Sequence, residues 1–235
     1  MLRFCFLMFL VFASLPVYAV ASCKSLLVPT ARLSQSEINS LIPLSPDFLK
    51  KYGQTLFFDH DSPVSGNEKG QVTLVDFYDY QCAYCKKIAR PLARLGDSFP
   101  EMRLVYKPLP MFGDESRAAA MAVISAGSRF YDLHNRLIEQ SNLSESSIRQ
   151  LAEESHVPAS VLKSKKEMAE HELNRNLELM DKLDLTGTPS FVIARVTPSQ
   201  FQKGEYGAVS AYFISDVLDV SALKELVKQF SQNPC

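Results

Sequence analysis

A strongly β-prone apolar run extends from Val72 to Phe77, in which only Thr73 and Asp76 are polar. Such near-continuous apolarity is typical of a strand that is buried on both faces. The run leads into Cys82-Ala83-Tyr84-Cys85, after which the residues from Lys86 onward favour a helix. The pattern therefore predicts two cysteines at the point where a strand gives way to a helix.

Further along the chain, strand patterns and helical patterns alternate. Helical spacing of apolar residues continues from about residue 114 to Leu183, with a break at His156-Val157-Pro158. A last helix is predicted after Ser221. Three more strands are predicted, at Met102–Lys107, Ser190–Val196 and Val209–Ile214. The predicted order is strand, helix, strand, helical block, strand, strand, helix.

Residues 22–62 are predicted to form a helical extension ahead of this unit. Ser34-Gln35-Ser36-Glu37 has the pattern of a capped helix start, and the apolar spacing continues through Ile42 until Pro43. A second helix is predicted from Ser45-Pro46-Asp47 to Gly53, followed by a turn-rich linker over residues 62–70. Two short amphipathic helices cannot form a core alone. We expect them to pair with a second copy of the chain or to pack on the body of their own chain.

The N-terminus has the pattern of a secretory signal peptide, which we place at residues 1–21. Arg3 supplies the positive charge, Phe4 to Leu15 is apolar apart from Ser14, and Val17-Tyr18-Ala19 has small residues where a signal peptidase reads. The apolar run is too short to span a bilayer comfortably. The pattern predicts export from a bacterium-like source, into a compartment where disulfides are stable.

Two interpretations of Cys23 stay open at this point. Val20-Ala21-Ser22-Cys23 resembles the lipobox of bacterial lipoproteins, in which the cysteine is acylated and anchors the protein to the membrane. Cleavage after Ala19 or Ala21 would instead leave Cys23 free to form a structural disulfide with Cys235.

The charge balance and the cysteine spacing limit the kinds of function that the sequence supports. Lys and Arg number 25 against 26 Asp and Glu, so the balance gives no indication of nucleic-acid binding. A zinc site needs two more ligands beside Cys82 and Cys85, yet Cys23 and Cys235 stand at the chain ends, and no histidine lies beside another ligand. A disulfide across so short a loop stabilises little. We therefore expect redox chemistry, with no metal and no cofactor. The first thiol, at a helix N-terminus, is biased toward thiolate.

Four motifs in this order resemble the DsbA-like family of thiol–disulfide oxidoreductases, and they lie within residues 64–230. The resemblance implies an α/β protein: a thioredoxin fold (63–110 and 185–235) with an inserted all-helical domain (111–184) and an N-terminal helical extension. The N-terminal part is similar to the dimeric, Com1-type branch. The motifs are Asp76-Phe77-Tyr78, Cys82-Ala83-Tyr84-Cys85, Lys107-Pro108-Leu109-Pro110 and Thr186-Gly187-Thr188-Pro189.

The resemblance also implies roles for the site residues. Cys82 would be the exposed nucleophile, and Cys85 the more deeply buried resolving thiol. Asp76 would be a buried acid of raised pKa that accepts a proton from Cys85. Thr188 and Pro189, joined by a cis peptide bond, would bind an extended client peptide together with Ala83 and Tyr84.

The expected function is an exported oxidase, with or without isomerase activity, in the periplasm or cell envelope of a Gram-negative bacterium. Its expected partners are reduced or unfolded envelope proteins, a DsbB-like or DsbD-like membrane redox partner, and a second copy of the chain. Two alternatives stay open: an isomerase or reductase kept reduced by a membrane electron donor, and a non-catalytic envelope protein that binds copper through its thiols. Ala83-Tyr84 replaces the Pro-His of the best-known members, which predicts a milder oxidant.

Overall fold

The computed structural model describes residues 23–215 and 218–232. The strands in this part of the chain are β1 (Leu41–Pro43), β2 (Val64–Gly66), β3 (Val72–Tyr78), β4 (Met102–Pro108), β5 (Ser190–Arg195) and β6 (Ser210–Ile214). They form one six-stranded sheet in the order β1-β6-β5-β3-β4-β2. The helices are α1 (Cys23–Leu26), α2 (Gln35–Asn39), α3 (Pro46–Phe58), α4 (Ala83–Ser98), α5 (Asp114–Ser125), α6 (Phe130–Ile138), α7 (Glu145–Glu154), α8 (Ala159–Ser164), α9 (Lys166–Lys182), α10 (Pro198–Gln202) and α11 (Val220–Gln232).

The predicted signal peptide at residues 1–21 and its cleavage site lie outside the described residues, and so does Cys235. Cys23 is the first residue of α1, but its side chain is likewise not described.

Strand β3 lies in the interior of the sheet, parallel to β4 and antiparallel to β5. All seven of its residues are buried, which confirms the prediction of a strand covered on both faces. Its side chains alternate between two core clusters: Leu74 and Tyr78 join the first, and Val75 and Phe77 join the second. By the same alternation Asp76 lies on the face of Leu74 and Tyr78.

Helices α5 to α9 follow β4 and precede β5, so the predicted helical block is confirmed. The predicted break between its helices is also present, with His156 in the left-handed region at a φ of 58°. The fold is therefore α/β, a thioredoxin fold with a helical insertion. None of the helices in the described part of the chain combines the length and the apolar character that crossing a membrane requires.

The N-terminal extension contains a strand as well as helices. The prediction of a helix continuing through Ile42 is wrong, because residues 41–43 pair with β6 as an edge strand, with Leu41 opposite Ile214. Leu41 is buried and joins the first core cluster, whereas Ile42 and Pro43 are exposed. The extension packs on the body of its own chain, since Leu49 of α3 joins the second core cluster.

Helix α3 continues past Gly53, where we expected it to end. Glycine occupies this position because of close packing and not because a helix ends there, since a β-carbon would collide with the ring of Phe201. Phe201 belongs to α10, which occupies the long segment between β5 and β6, and it contacts the ring of Phe57 edge-on. Helix α10 therefore packs against α3 and helps to hold α3 on the body of the protein. The predicted linker over 62–70 likewise contains a strand, β2, which pairs with β4.

A buried ionic network joins the helical insertion to the sheet. Lys107 of β4 and Glu172 of α9 are both fully buried, with 3.2 Å between Nζ and Oε1. Ser62 bonds both side chains. Arg175 binds the other oxygen of Glu172 at 2.8 Å and also the carboxylate of Asp59. Since buried charges require partners, this network fixes the position of α9 on the sheet.

Candidate active site

The two cysteines occupy the transition from β3 to α4 that the sequence predicts. Cys82 is the N-cap residue of α4, and Cys85 lies in its first turn. The Cys85 amide donates to the Cys82 Sγ atom at 3.4 Å. The free amides of a helix N-terminus favour negative charge, so they stabilise a thiolate on Cys82.

The loop before β5 reaches the first cysteine. The Cys82 thiol donates to the main-chain carbonyl oxygen of Thr188 at 3.1 Å, and the Thr188–Pro189 peptide bond is cis. The fold thus brings Thr188 and Pro189 together with the Cys-Ala-Tyr-Cys segment, although more than a hundred residues separate them in the sequence.

The expected difference in exposure between the two cysteines is wrong. Cys82 and Cys85 are each 3% exposed, because the Cys82 thiol is turned inward toward the Thr188 carbonyl rather than outward to solvent. The intervening residues are open by contrast: Ala83 is exposed, and Tyr84 is 67% exposed. Any molecule that reacts with Cys82 must therefore reach it beside Tyr84, after the Sγ atom leaves the Thr188 carbonyl.

The two thiols differ in acidity far more than in exposure. The hydrogen bond from Cys85, the Thr188 side chain and the amides of Cys85 and Tyr84 together outweigh burial, and they lower the pKa of Cys82 to about 5. The bond to Cys82, burial and the nearby Asp76 carboxyl raise the pKa of Cys85 far above its ordinary value. At neutral pH Cys82 is therefore a thiolate and Cys85 a thiol.

Asp76 is buried on β3, and only 5% of it is exposed. Its Oδ1 atom has no hydrogen-bond partner among the described residues. Burial, followed by the charge of Cys82, raises the pKa of Asp76 to about 8. The Asp76 carboxyl in turn contributes to the raised pKa of Cys85. This carboxyl can gain or lose a proton near neutral pH.

Sequence reasoning missed Asp79, which is 1% exposed and lies between β3 and Cys82. Its carboxylate accepts hydrogen bonds from the segment around Met111, Phe112 and Ser116. Its neighbour Tyr80 places its hydroxyl 2.9 Å from Nδ1 of His134 on α6. The only sequence signal for this role of Asp79 was the presence of an acid between the strand and the cysteines. The residues that bond its carboxylate are far away in the sequence and could not be identified from it.

His134 is buried, and desolvation lowers its pKa to about 3, so it is neutral. It packs among Tyr78, Tyr80, Tyr106 and Phe130. This aromatic cluster joins the helical insertion to the cysteine loop.

Exposed apolar side chains lie next to Cys82 in the sequence and on the segment that the Gln81 side chain bonds. Tyr84, Met111 and Phe112 are exposed aromatic or aliphatic side chains. A groove of about 630 Å³ opens beside the Thr188–Pro189 loop, with Ile42 and Phe213 also in its lining. Its dimensions suit a segment of polypeptide.

Asp59, His60 and Asp61 are the one cluster of three candidate metal ligands within residues 23–215 and 218–232. Arg175 already binds both carboxylates, at 2.6 Å for Asp59 and 2.8 Å for Asp61. Arg175 therefore balances part of their charge, and the cysteines do not belong to the cluster.

Residues 73–219 match the family model described as the DSBA-like thioredoxin domain. A thioredoxin-like oxidoreductase from Silicibacter pomeroyi is 32% identical with a TM-score of 0.57, covering 65% of this chain and 94% of that chain. The catalytic domain of ScsC from Proteus mirabilis is 27% identical with a TM-score of 0.63, covering 80% of this chain and 99% of that chain.

A curated relative is the Na(+)/H(+) antiporter NhaA 1 of Salinispora arenicola. It is 27% identical over 136 residues, which are 54% of this chain and 19% of that protein. The chain spans less than a third of the length of the curated relatives that it matches.

Proposed function

The chain belongs to the DSBA-like thioredoxin domain family, and we propose that it is an exported enzyme that forms disulfides in envelope proteins through Cys82 and Cys85. The observation that carries this proposal is the contact between the Cys82 thiol and the Thr188 carbonyl at 3.1 Å. It places an acidic thiol, whose pKa is about 5, against a loop whose main chain can bind a client. The solved relatives described as a thioredoxin-like oxidoreductase and as a catalytic domain support the same chemistry.

In the oxidising direction, the Cys82–Cys85 disulfide is the oxidant. A client thiolate attacks the Cys82 sulfur, the S–S bond breaks, and Cys85 leaves as a thiolate that takes up a proton. A second client thiolate then attacks the client sulfur of the mixed disulfide, and Cys82 leaves as a thiolate. The client loses two electrons and gains a disulfide, and the cysteine pair gains the two electrons. A membrane partner of the DsbB-like type would then reoxidise the pair.

Asp76 supplies the proton for Cys85 in this scheme. A pKa of about 8 for Asp76 keeps it mostly protonated at neutral pH. The pKa of Cys85 is raised far above its ordinary value, so the departing Cys85 thiolate is strongly basic and takes the Asp76 proton. In the reverse direction Asp76 accepts that proton from Cys85, as a general base does.

Client recognition rests on main-chain and apolar contacts rather than on charge. We propose that an extended client segment binds along Thr188 and Pro189 and covers Ala83 and Tyr84, in the manner of strand addition. The groove beside that loop, whose lining includes Ile42, Phe48 and Phe213, offers apolar contacts to clients that are unfolded, because folded proteins bury most of their large apolar side chains.

The same geometry favours a second activity, the rearrangement of incorrect disulfides. A Cys82 thiolate, present at neutral pH because the pKa of Cys82 is about 5, is the species that attacks a client disulfide. An isomerase or reductase would be kept reduced by a DsbD-like membrane electron donor, whereas an oxidase would be kept oxidised.

Export to the periplasm or cell envelope follows from the predicted signal peptide. Membrane anchoring through a lipidated Cys23, or a disulfide between Cys23 and Cys235, and assembly as a homodimer are further parts of the proposal. Intact-mass measurement of the native protein with and without reductant distinguishes lipidation from a disulfide.

Refolding of reduced, denatured RNase tests the main proposal. The oxidised protein is expected to restore RNase activity, and Cys82→Ser is expected to remove that gain. An equal gain from wild type and Cys82→Ser would eliminate the enzyme in favour of a non-catalytic thiol protein. Scrambled RNase distinguishes isomerase from oxidase, and trapping the redox state of Cys82 and Cys85 in cells shows which direction operates.

A further inference from the structure

The side chain of Asp79 binds two segments on either side of the cysteine loop. Its Oδ1 atom accepts from the Gln81 amide and from the Ser116 hydroxyl, each at 2.7 Å. Its Oδ2 atom accepts from the amides of Met111 at 2.6 Å and Phe112 at 3.3 Å. A carboxylate has about four acceptor positions, and all four are used here.

The main chain around Asp79 ties the same segment to the nucleophile. The Cys82 amide donates to the Asp79 carbonyl oxygen at 3.2 Å. The Gln81 side-chain amide donates to the Phe112 carbonyl oxygen at 3.1 Å. Cys82 is therefore held from two directions, through its Sγ atom by the Thr188 loop and through its amide by the segment that also holds Phe112.

The Met111–Phe112 segment is held by the Asp79 carboxylate and by the bond from the Gln81 side chain to the Phe112 carbonyl oxygen. Gly113, the N-cap residue of α5, provides no side-chain cap and has a φ of 94°, in the region that favours glycine. The side chains of Met111 and Phe112 are 38% and 54% exposed. Their position next to the loop that carries Cys82 thus depends mainly on the two amides that Asp79 binds.

We propose that Asp79 is a positioning residue that fixes Met111 and Phe112 as a second wall of the client site, where they contact an apolar residue next to the client cysteine. This inference rests on the proposed exchange function. The wall should affect peptide substrates and not small thiols. A small thiol such as glutathione reaches Cys82 without touching that wall, whereas an extended peptide covers it.

The Asp79→Asn variant tests the inference, because asparagine keeps the size but turns one acceptor oxygen into a donor facing other donors. We expect KM for a cysteine-containing peptide with a neighbouring Leu or Phe to rise about tenfold. The rate with glutathione should stay close to that of wild type, whereas the pKa of Cys82 should fall slightly because a nearby negative charge is lost. Amide hydrogen exchange at Met111 and Phe112 should accelerate.

Met111→Ala and Phe112→Ala keep the test valid if Asp79→Asn does not fold, since both side chains are exposed. Each is expected to raise the peptide KM and to leave the glutathione rate unchanged. Tyr131→Ala, which removes a side chain of comparable exposure (45%) on α6, is the matched control and should change neither.

Three results would overturn the inference while wild type remains active: an unchanged peptide KM in Phe112→Ala, an equal loss with glutathione and peptide in Asp79→Asn, or unchanged amide exchange at Met111 and Phe112. Failure of the proposed function looks different, because wild type itself would then exchange no thiols with either substrate.

Discussion

The Sγ atom of Cys82 lies 3.1 Å from the main-chain carbonyl oxygen of Thr188, a residue 106 positions further along the chain. The hydroxyl of Thr188 is buried and has no hydrogen-bond partner in the described part of the protein. In the thiol form Cys82 donates to the carbonyl. When the thiolate forms, the unpaired hydroxyl becomes a donor for it, and the Thr188 side chain is one of the causes that lower the pKa of Cys82.

Replacing Thr188 by Val should therefore raise the pKa of Cys82 by about one pH unit or less, because one hydrogen bond to the thiolate is lost. Thr188→Ser keeps the hydroxyl and should leave the pKa near its wild-type value. Thiolate absorbance at 240 nm, followed against pH, measures both. An equal pKa in wild type and Thr188→Val would show that the hydroxyl does not contribute.

Asp76 should make the stability of the reduced protein depend on pH. Its pKa is raised from 3.8 to about 8, so the folded state retains a proton that the unfolded chain releases above about pH 4. The contribution of Asp76 to the free energy of unfolding should therefore fall as pH rises from about 4 to about 8, and level off beyond, whereas the lowered pKa of Cys82 contributes in the opposite direction above about pH 5. Asp76→Asn lacks this titration and should be more stable than wild type at pH 8 by a few kcal/mol.

Urea denaturation of both proteins at pH 4, 6 and 8 measures this difference. Repeating it in a Cys82→Ser background separates the effect of burial from that of the Cys82 charge. A stability difference that stays constant with pH would show that Asp76 does not carry the raised pKa.

Tyr84 is 67% exposed next to Cys82 and should set how oxidising the protein is. A histidine there can add a positive charge that stabilises the thiolate, so Tyr84→His should lower the pKa of Cys82 and raise the reduction potential by about 30 mV for each pH unit. For wild type we expect a potential between the reference values of about −270 mV for thioredoxin and about −120 mV for DsbA. Equilibration with glutathione buffers measures both proteins, and a lower potential in Tyr84→His would contradict this role.

The buried pair of Lys107 and Glu172 should contribute strongly to stability and little to acidity at the site. Both side chains are fully buried, so Glu172→Gln leaves an uncompensated charge and should destabilise the protein by about 3–5 kcal/mol. Lys107→Met should do the same, and the double variant should lose less than the sum. Urea denaturation gives the cycle, with the pKa of Cys82 as the control that should not change. Additive losses would mean that the two residues are not coupled.

The local pattern of apolar residues was enough to predict β3, which leads to the cysteines, because Val72 to Phe77 is apolar enough to be buried in any fold. They could not predict the edge strand Leu41–Pro43, since three residues are too few to show alternation and their partner, Ile214, is far away in the chain. The burial of Cys82 could not be predicted either, because it depends on the carbonyl of Thr188. The resemblance of the motifs to a known family, rather than the spacing of residues, predicted that the Cys82 loop and the Thr188–Pro189 loop lie together.

The central claim is that Cys82 attacks a client sulfur and that Cys85 resolves the product. Trapping tests it most directly: Cys85→Ser, incubated at neutral pH with a peptide disulfide, should accumulate a mixed disulfide at Cys82, detected by intact mass and peptide mapping. Cys82→Ser should form none. A native Cys85→Ser protein that gives no adduct, although the denatured protein does, would show that Cys82 is closed to clients and would contradict the account.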